Sequence, residues 1–284
     1  MTHWIETYRG TVAPWECDVT EHFTIAYYFA RLEEAEPNLA DALGLGERLH
    51  TGSFARRLDV RFARELRAGS SFQVEGAVLG IDDGLRFGYR FVDSANGETV
   101  TWIDERWDLA KAPLSAEERR ALGGRLAVRE GPAAEARPEP KGGAAGFVPT
   151  ARGRVRPADL DARGHFGLAA IVHRFTDSCI QAGSAIGMDA EFMEQSRRGF
   201  STFELALQIS GVLRLDEPYL VETGVAHLGN SSLRLIHRMT DPRNGREVAR
   251  LGQYGVNLDL DARRPAKWPD EIRARAAKLV IELA

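Results

Sequence analysis

The sequence has little cysteine and no long apolar run. Cys17 and Cys179 are its only cysteines, and they form neither a CxxC pair nor a disulfide framework, which predicts a reducing, cytoplasmic environment. No apolar stretch approaches the ~20 residues of a membrane-spanning helix, and the amino-terminal segment lacks the apolar core of a secretory signal. We therefore expect a soluble intracellular protein with no membrane partner.

An excess of basic residues is also absent. The 41 acidic residues outnumber the 37 basic ones and give a formal net charge of -4. Nucleic acid is therefore not expected as a partner, because binding it requires Lys and Arg to neutralise phosphates. The 284 residues are 44% hydrophobic, as in an ordinary globular protein, and this length predicts about two domains.

The chain contains an internal duplication. In the segment WECDVTEHF, Asp18 and His22 align with Asp161 and His165 of the segment ADLDARGHF at one common offset of 143 residues. The match continues downstream with small drifts of the offset, through apolar positions that alternate with polar ones. Two copies are too few for a solenoid. We therefore predict two copies of one domain, which form a pseudo-dimer within the chain.

A segment whose composition cannot form a hydrophobic core separates the two copies. Residues 131–146 read GPAAEARPEPKGGAAG, which is rich in Pro and Gly and has almost no apolar residue other than Ala. Such a composition indicates an extended linker. We therefore predict an N-terminal domain over residues 1–130, a linker over residues 131–146 and a C-terminal domain over residues 147–284.

Each copy shows the same order of predicted elements. After a short extended segment, apolar residues recur at helical spacing, from Ile25 in the first copy and from Leu168 in the second, which predicts a buried helix. Pro37 should end or kink the first helix. Apolar and polar residues then alternate, as in Leu58–Phe62, which predicts antiparallel strands. One buried helix wrapped by an antiparallel sheet in each copy is an α+β fold.

The residues around the first helix resemble a known signature. Cys17–His22, followed by Ala26, Tyr28 and Leu32–Ala35, resembles the pattern D-x-x-x-H-V-N-N-A-x-Y and then L-E-E-A. That pattern belongs to acyl-CoA thioesterases of the hotdog fold, of the long-chain and 4-hydroxybenzoyl types. The resemblance implies a tandem hotdog and a small-molecule acyl thioester as substrate. Coenzyme A then enters only as part of the substrate, and neither another cofactor nor a metal is expected.

The sequence departs from this signature at its two Asn positions. Thr24 and Ile25 occupy them in the first copy, and Gly167 and Leu168 occupy them in the second. Because the first copy keeps more of the signature, we expect it to be the more competent half.

The candidate catalytic pair lies where the first helix is expected to start. We assign Asp18 as base or nucleophile and His22 as a positioning or polarising group beside it. Backbone N–H groups from His22 to Thr24 are the expected donors to the oxygen that gains charge. The spacing of four places the pair one helical turn apart if the helix begins early. An N-cap Asp and a first-turn His would explain the same pattern without catalysis.

Two further residues of the first copy join the candidate set. The resemblance implies that Glu33 is an active-site acid, although a pairing with Arg31 or Arg64 explains this residue equally well. Thr24 is a candidate hydroxyl donor in place of a missing Asn. In the second copy, Asp161 and His165 repeat the first pair as candidate catalytic residues.

Two sets of charged residues remain open to two interpretations. Arg61, Arg64 and Arg67 are candidates for binding the diphosphate of coenzyme A, while a solvated strand face is the simpler meaning of such a cluster. Glu204, in the first strand of the second copy, either caps a site or faces solvent, and we expect it to face solvent.

Three functions are compatible with these features. The first is hydrolysis of an acyl-CoA or acyl-carrier-protein thioester. The second is an enoyl-CoA hydratase or dehydratase built as a double hotdog, although its usual Asp and His, five apart with Asn-Pro between them, are absent here. The third is a non-catalytic acyl-thioester binding protein, which the missing Asn residues favour.

Open sheet edges also allow a homodimer.

Overall fold

The structure divides into two compact units. It is a computed structural model that describes residues 3–46, 56–82, 84–109, 113–133, 135, 137–141 and 145–283. The first unit comprises Met1–Ala134 and Gln208–Ser210, and the second unit comprises Glu135–Leu207 and Gly211–Ala284. No helix among the described residues is long and apolar enough to cross a membrane.

The first unit contains one long helix and an antiparallel sheet. Its strands are β1 (Ile5–Thr11), β2 (Arg56–Phe62), β3 (Ser71–Gly80), β4 (Leu85–Asp93) and β5 (Thr99–Trp107). Its helices are α1 (Ile25–Leu43), between β1 and β2 in the chain, and α2 (Ala116–Gly123), after β5. The strand order across the sheet is β1-β3-β4-β5-β2, and all four neighbouring pairs are antiparallel.

Helix α1 forms because its apolar residues recur at helical spacing and are buried. Phe29, Leu32 and Leu39 have no exposed surface. Of the two outcomes predicted for Pro37, an end of the helix is wrong, because α1 continues through this residue, while a kink stays a prediction. Burial of the last turns against the core compensates for the backbone hydrogen bond that proline cannot make. The helix ends at Gly44, whose φ of 75° is left-handed, a conformation that glycine adopts without steric cost.

The second unit repeats this arrangement. Its strands are β6 (Val148–Arg154), β7 (Arg198–Ile209), β8 (Pro218–Leu228), β9 (Ser232–Asp241), β10 (Arg246–Asp259) and β11 (Arg264–Pro265). Its helices are α3 (Leu168–Ile186), α4 (Ala190–Ser196) and α5 (Asp270–Ala276). The strand order is β6-β8-β9-β10-β7, with β11 paired to β10, so five strands follow the order of the first unit.

The predicted α+β architecture is confirmed in both units. Each contains a 19-residue helix with a buried apolar face, followed in the chain by the strands that the alternating patterns predicted. The sequence interpretation missed α2, α4 and α5. These helices are only two turns long, and so short a segment carries too few apolar positions to show a helical period.

The segment predicted as a linker makes contacts where it is described. The guanidinium of Arg137 donates to both carboxylate oxygens of Glu204, at 2.6 and 3.0 Å, and lies 4.2 Å from the ring centre of Tyr254. The expectation that Glu204 faces solvent is therefore wrong. Its side chain is buried, because the ion pair with Arg137 replaces the water that a carboxylate otherwise needs.

A charged cluster is buried beside α1 in the first unit. The Nε of Arg56 donates to Oε1 of Glu105 at 2.6 Å, and its Nη2 contacts both Glu105 and Glu36. The indole N–H of Trp107 donates to the same Glu105 oxygen at 2.6 Å. Among the described residues, the other Glu105 oxygen has no hydrogen-bond partner. Two buried carboxylates therefore share one guanidinium, and burial raises the pKa of Glu36 to about 8.

The corresponding region of the second unit is polar but neutral. The buried ring of His237 lies 2.8 Å from the Thr223 hydroxyl through Nδ1 and 3.1 Å from Oε1 of Gln253 through Nε2. The Gln253 amide nitrogen donates to the hydroxyl of Thr202 at 2.7 Å. Burial lowers the pKa of His237 to about 4. This cluster therefore satisfies its hydrogen bonds without any ionised group at neutral pH.

Replacement of Glu36 by Gln should reduce the pH dependence of stability. Because folding raises the pKa of Glu36 above its ordinary 4.5, its contribution to stability is complete below that value and is lost as the pH rises through about 8. Glu36→Gln cannot ionise, so the fall in the free energy of unfolding between about pH 5 and pH 9 should shrink by about 4 kcal/mol. Urea denaturation of the two proteins at both pH values measures this difference. An identical fall in both would contradict the assignment.

Candidate active site

A tight loop before α1 carries Asp18 and His22. Cys17 and Phe23 face each other in an antiparallel bridge that closes the loop. The N–H of Asp18 donates to the carbonyl of His22 at 2.9 Å, and the N–H of Glu21 donates back to the carbonyl of Asp18 at 2.9 Å. The backbone therefore folds on itself before the helix starts.

The candidate pair does not lie on the helix. Helix α1 begins at Ile25 and its N-cap is Thr24, so the expectation of an early helix start is wrong. The alternative interpretation of Asp18 as the N-cap and His22 as a first-turn residue is wrong for the same reason. The physical cause is the bridge described above, which commits the backbone before Phe23 to an extended turn.

One oxygen of the Asp18 carboxylate holds this loop together. Oδ1 accepts from the N–H of Thr20 at 2.8 Å, from the hydroxyl of Thr20 at 2.6 Å and from the N–H of His22 at 3.3 Å. Among the described residues, Oδ2 has no partner, and the side chain is exposed. Asp18 thus presents one oriented and open carboxylate oxygen.

The ring of His22 lies between two oxygen atoms. Its Nδ1 is 3.1 Å from Oγ1 of Thr20, and its Nε2 is 2.9 Å from Oε1 of Glu65. The His22 side chain is only 11% exposed, so water screens these contacts weakly. A continuous hydrogen-bonded chain therefore runs from Asp18 through Thr20 and His22 to Glu65. Sequence analysis missed Thr20 and Glu65.

The matching loop of the second unit has the same backbone but a blocked carboxylate. Oδ1 of Asp161 accepts from the N–H groups of Arg163 and His165, both at 2.9 Å. Its Oδ2 binds the guanidinium of Arg163 at 3.0 and 2.8 Å. Burial opposes ionisation of Asp161, but the His165 amide and the Arg163 guanidinium outweigh it and lower its pKa. Burial also lowers the pKa of His165.

The amides first assigned as oxyanion donors are already bonded. The three N–H groups donate within the protein: His22 to the Asp18 side chain, Phe23 to the Leu66 carbonyl and Thr24 to the Glu16 carbonyl. That assignment is therefore wrong, because the loop needs these donors for its own backbone.

The next two amides are open. Among the described residues, the N–H groups of Ile25 and Ala26 have no acceptor. The Thr24 side chain does not cap α1, and no acidic residue lies in the first turn. Helix α3, which follows Gly167, likewise has neither a side-chain cap nor an acidic first turn. Unpaired amides at the positive end of a helix favour a negative charge, so they suit a developing oxyanion.

A buried ion pair fixes each loop to its helix. In the first unit, Glu16 accepts a backbone N–H of its own turn at 2.8 Å and contacts Arg31 of α1. In the second unit, Asp159 accepts the equivalent N–H at 2.9 Å and binds Arg174 of α3 at 3.0 Å. Both carboxylates are 5% exposed. The duplication is the sequence feature from which this ion pair could have been predicted, since Glu16 and Arg31 align with Asp159 and Arg174 at the offset of 143.

One candidate residue lies on α1, and another is the N-cap of this helix. Glu33 is half-buried, and it lies about 12 Å along the axis from the first helical residue. Its role as an acid stays a prediction. Thr24 is half-buried next to the open amides, and no partner of its hydroxyl occurs in the described ranges. Its role as a hydroxyl donor also stays a prediction.

Two of the three arginines that are candidates for phosphate binding pair with acidic residues. Arg64 pairs with Glu98 at 2.9 Å and Arg67 pairs with Glu65 at 3.1 Å, while Arg61 is half-buried on β2. Exposed ion pairs of this kind contribute little, so a phosphate can replace the carboxylates. Their role in binding a diphosphate stays a prediction.

Comparison with known proteins identifies the family. The sequence profile of the Thioesterase-like superfamily matches residues 12–107 and 155–276. The chain belongs to the Thioesterase-like superfamily. Because the match covers a segment of each unit, the resemblance stated from the sequence is confirmed. No curated protein matches the chain.

Three solved structures resemble this thioesterase-like protein along most of its length. An acyl-ACP thioesterase from Bacteroides thetaiotaomicron shares 12% identity, with a TM-score of 0.67 over 89% of this chain and 98% of that one. A protein named oleoyl thioesterase from Lactobacillus plantarum shares 12% identity, with a TM-score of 0.69 over 89% and 96%. The 12:0-ACP thioesterase from Umbellularia californica shares 14% identity, with a TM-score of 0.62 over 90% and 94%. At these identities the likeness shows the fold alone, and the predicted tandem hotdog is confirmed.

Replacement of Arg31 should destabilise this thioesterase-like protein. Arg31→Met keeps the aliphatic length but leaves Glu16 buried without its guanidinium, so the free energy of unfolding should fall by about 3 kcal/mol. The control is Arg9→Met, which breaks an exposed pair with Glu6 and should cost less than about 1 kcal/mol. Urea denaturation of both variants measures these values. Equal losses would show that the buried pair does not hold the loop.

Proposed function

We propose that this protein hydrolyses an acyl thioester at the loop before α1 in its first unit. The observation that carries the proposal is the Asp18 carboxylate, with three donors on Oδ1 and an open Oδ2, on the loop that leads into the uncapped start of a buried helix. Membership of the Thioesterase-like superfamily supports a thioester as the substrate.

The open groups supply what hydrolysis requires. The thioester carbonyl oxygen accepts from the N–H groups of Ile25 and Ala26, which stabilise the charge that develops on it. Oδ2 of Asp18 takes a proton from the attacking water, or attacks the carbonyl carbon itself. In the first route, the C–S bond breaks as the tetrahedral intermediate collapses, and Asp18 returns the proton to the departing sulfur. In the second route, the C–S bond breaks to leave an acyl–Asp18 anhydride and a thiolate. Water then hydrolyses the anhydride to the acid and the Asp18 carboxylate, and the proton released goes to the thiolate. His22 polarises and positions the carboxylate through the loop.

The difference between the two loops supports catalysis in the first unit. Arg163 occupies the position of Thr20 and binds the carboxylate oxygen that is open in Asp18. A carboxylate with both oxygens engaged is a poor base and a poor nucleophile, because its lone pairs are already shared with donors. We therefore assign hydrolysis to Asp18 and a structural role to Asp161.

The substrate class is an acyl chain carried on a phosphopantetheine arm. The three similar structures are named as acyl-ACP or oleoyl thioesterases, and the chain spans at least 94% of each. Arg64 and Arg67 offer exposed cations in the first unit to the phosphate that coenzyme A and acyl carrier protein both present.

Substitution of Asp18 by Asn should abolish most of the activity without unfolding the protein. Asn keeps the Oδ1 acceptor that the loop needs but loses the open carboxylate oxygen, so kcat should fall by about a hundredfold or more. The matched variant Asp161→Asn should keep kcat within about twofold. Release of free thiol from a series of acyl-CoA and acyl-ACP substrates measures both. A fall in Asp161→Asn alone would move the site to the second unit.

Two further measurements define the reaction. Label in the Asp18 carboxylate after a single turnover in H₂¹⁸O identifies Asp18 as the nucleophile, because the label reaches it only when water attacks the Asp18 carbon of an acyl–Asp18 anhydride. Hydration of crotonyl-CoA without cleavage of any saturated thioester would overturn hydrolysis in favour of a hydratase. Tight binding of acyl-CoA with no turnover would overturn it in favour of a binding protein.

A further inference from the structure

The neighbours of Thr20 determine the direction in which its hydroxyl group donates a hydrogen bond. Oγ1 of Thr20 is 2.6 Å from Oδ1 of Asp18 and 3.1 Å from Nδ1 of His22. An ionised carboxylate only accepts hydrogen bonds, so the hydroxyl proton points to Asp18. The Thr20 oxygen then presents a lone pair to the ring, and Nδ1 of His22 must carry a proton to bond with it.

The other side of the ring leads to the same result. Nε2 of His22 lies 2.9 Å from Oε1 of Glu65, which is also an acceptor. When both ring nitrogens donate, the ring is an imidazolium with one positive charge. That charge lies between two carboxylates, one in direct contact and one reached through the hydroxyl of Thr20. The side chains of Thr20 and His22 are buried, which strengthens these interactions.

The phenol of Tyr28 and the thiol of Cys17 remain neutral at neutral pH. Burial raises the pKa of the Tyr28 phenol and of the Cys17 thiol, and the Glu65 carboxylate adds to the rise for Tyr28. Arg67 pairs with the second oxygen of Glu65 at 3.1 Å on the exposed side of the loop. Two carboxylates among the described residues face the ring, those of Asp18 and Glu65.

The second unit lacks both supports. The N–H of Phe23 donates to the carbonyl of Leu66, and the N–H of Phe166 donates to the carbonyl of Leu213, so these two carbonyl residues correspond. The residue before Leu66 is Glu65, whereas the residue before Leu213 is a valine. Arg163 likewise stands where the first unit has Thr20. The loop without the open carboxylate therefore also lacks the groups that would hold a charged histidine.

We propose that Thr20 and Glu65 are positioning residues, which hold His22 as an imidazolium and thereby keep the Asp18 carboxylate oriented. Glu65 binds one side of the ring, and the Thr20 hydroxyl connects the other side to the carboxylate. Neither residue touches the reacting atoms. This inference rests on the proposed function for its catalytic meaning, while the charge state of His22 is measurable without turnover.

Nuclear magnetic resonance of the His22 ring tests the charge state directly. The spectrum of His22→Gln identifies its signal among the seven histidines. In Glu65→Gln and in Thr20→Val, the titration midpoint of His22 should fall by about one pH unit, because each change removes a group that stabilises the imidazolium. Thr20→Ser keeps the hydroxyl and should restore the midpoint. Glu6→Gln, at an exposed pair with Arg9, is the matched control and should leave it unchanged.

Kinetics of the same variants test the catalytic consequence. In Thr20→Val and Glu65→Gln, kcat should fall by about tenfold with KM within about twofold, because Asp18 loses the contacts that orient it. Thr20→Ser should recover kcat. An unchanged His22 midpoint in Glu65→Gln overturns this inference even where hydrolysis occurs. Absence of hydrolysis by the native protein, with the His22 shifts present, overturns the proposed function instead.

Discussion

The candidate site depends on one buried ion pair between the loop and the helix. Glu16 belongs to the turn that leads into the loop, and Arg31 belongs to the second turn of α1, so their contact fixes the loop on the helix that carries the open amides. Both side chains are buried and have lost most of their hydration. Removal of either one therefore leaves the charge of the other buried without a partner. The distance between Asp18 and the amides of Ile25 and Ala26 is set by this constraint.

Duplication preserved the constraint and changed the chemistry. The ion pair recurs as Asp159 with Arg174, and the loop backbone recurs down to its internal hydrogen bonds. The two units differ in side chains that the fold does not require. The second unit has Arg163 in place of Thr20 and a valine in place of Glu65. One copy can therefore keep a reactive carboxylate, while the other copy keeps only the backbone of the loop.

The sequence predicted the fold better than the site. Helix α1 and the strands followed from apolar periodicity, because burial of one face is a property that local spacing records. The first residue of α1 could not be predicted from apolar periodicity, because it depends on the bridge between Cys17 and Phe23, which is a tertiary constraint. The amides of Ile25 and Ala26 were missed for that reason. Glu65 was missed because it lies more than forty residues from His22 in the chain, and no spacing rule connects them.

The two cores give the halves of this chain opposite tolerances to acid and alkali. The Glu36 cluster loses its contribution as the pH rises through about 8, whereas His237, with a pKa lowered to about 4, favours folding above its ordinary 6.5 and loses that contribution as the pH falls toward 4. Acid therefore removes a stabilising contribution from the second unit, and alkali removes one from the first.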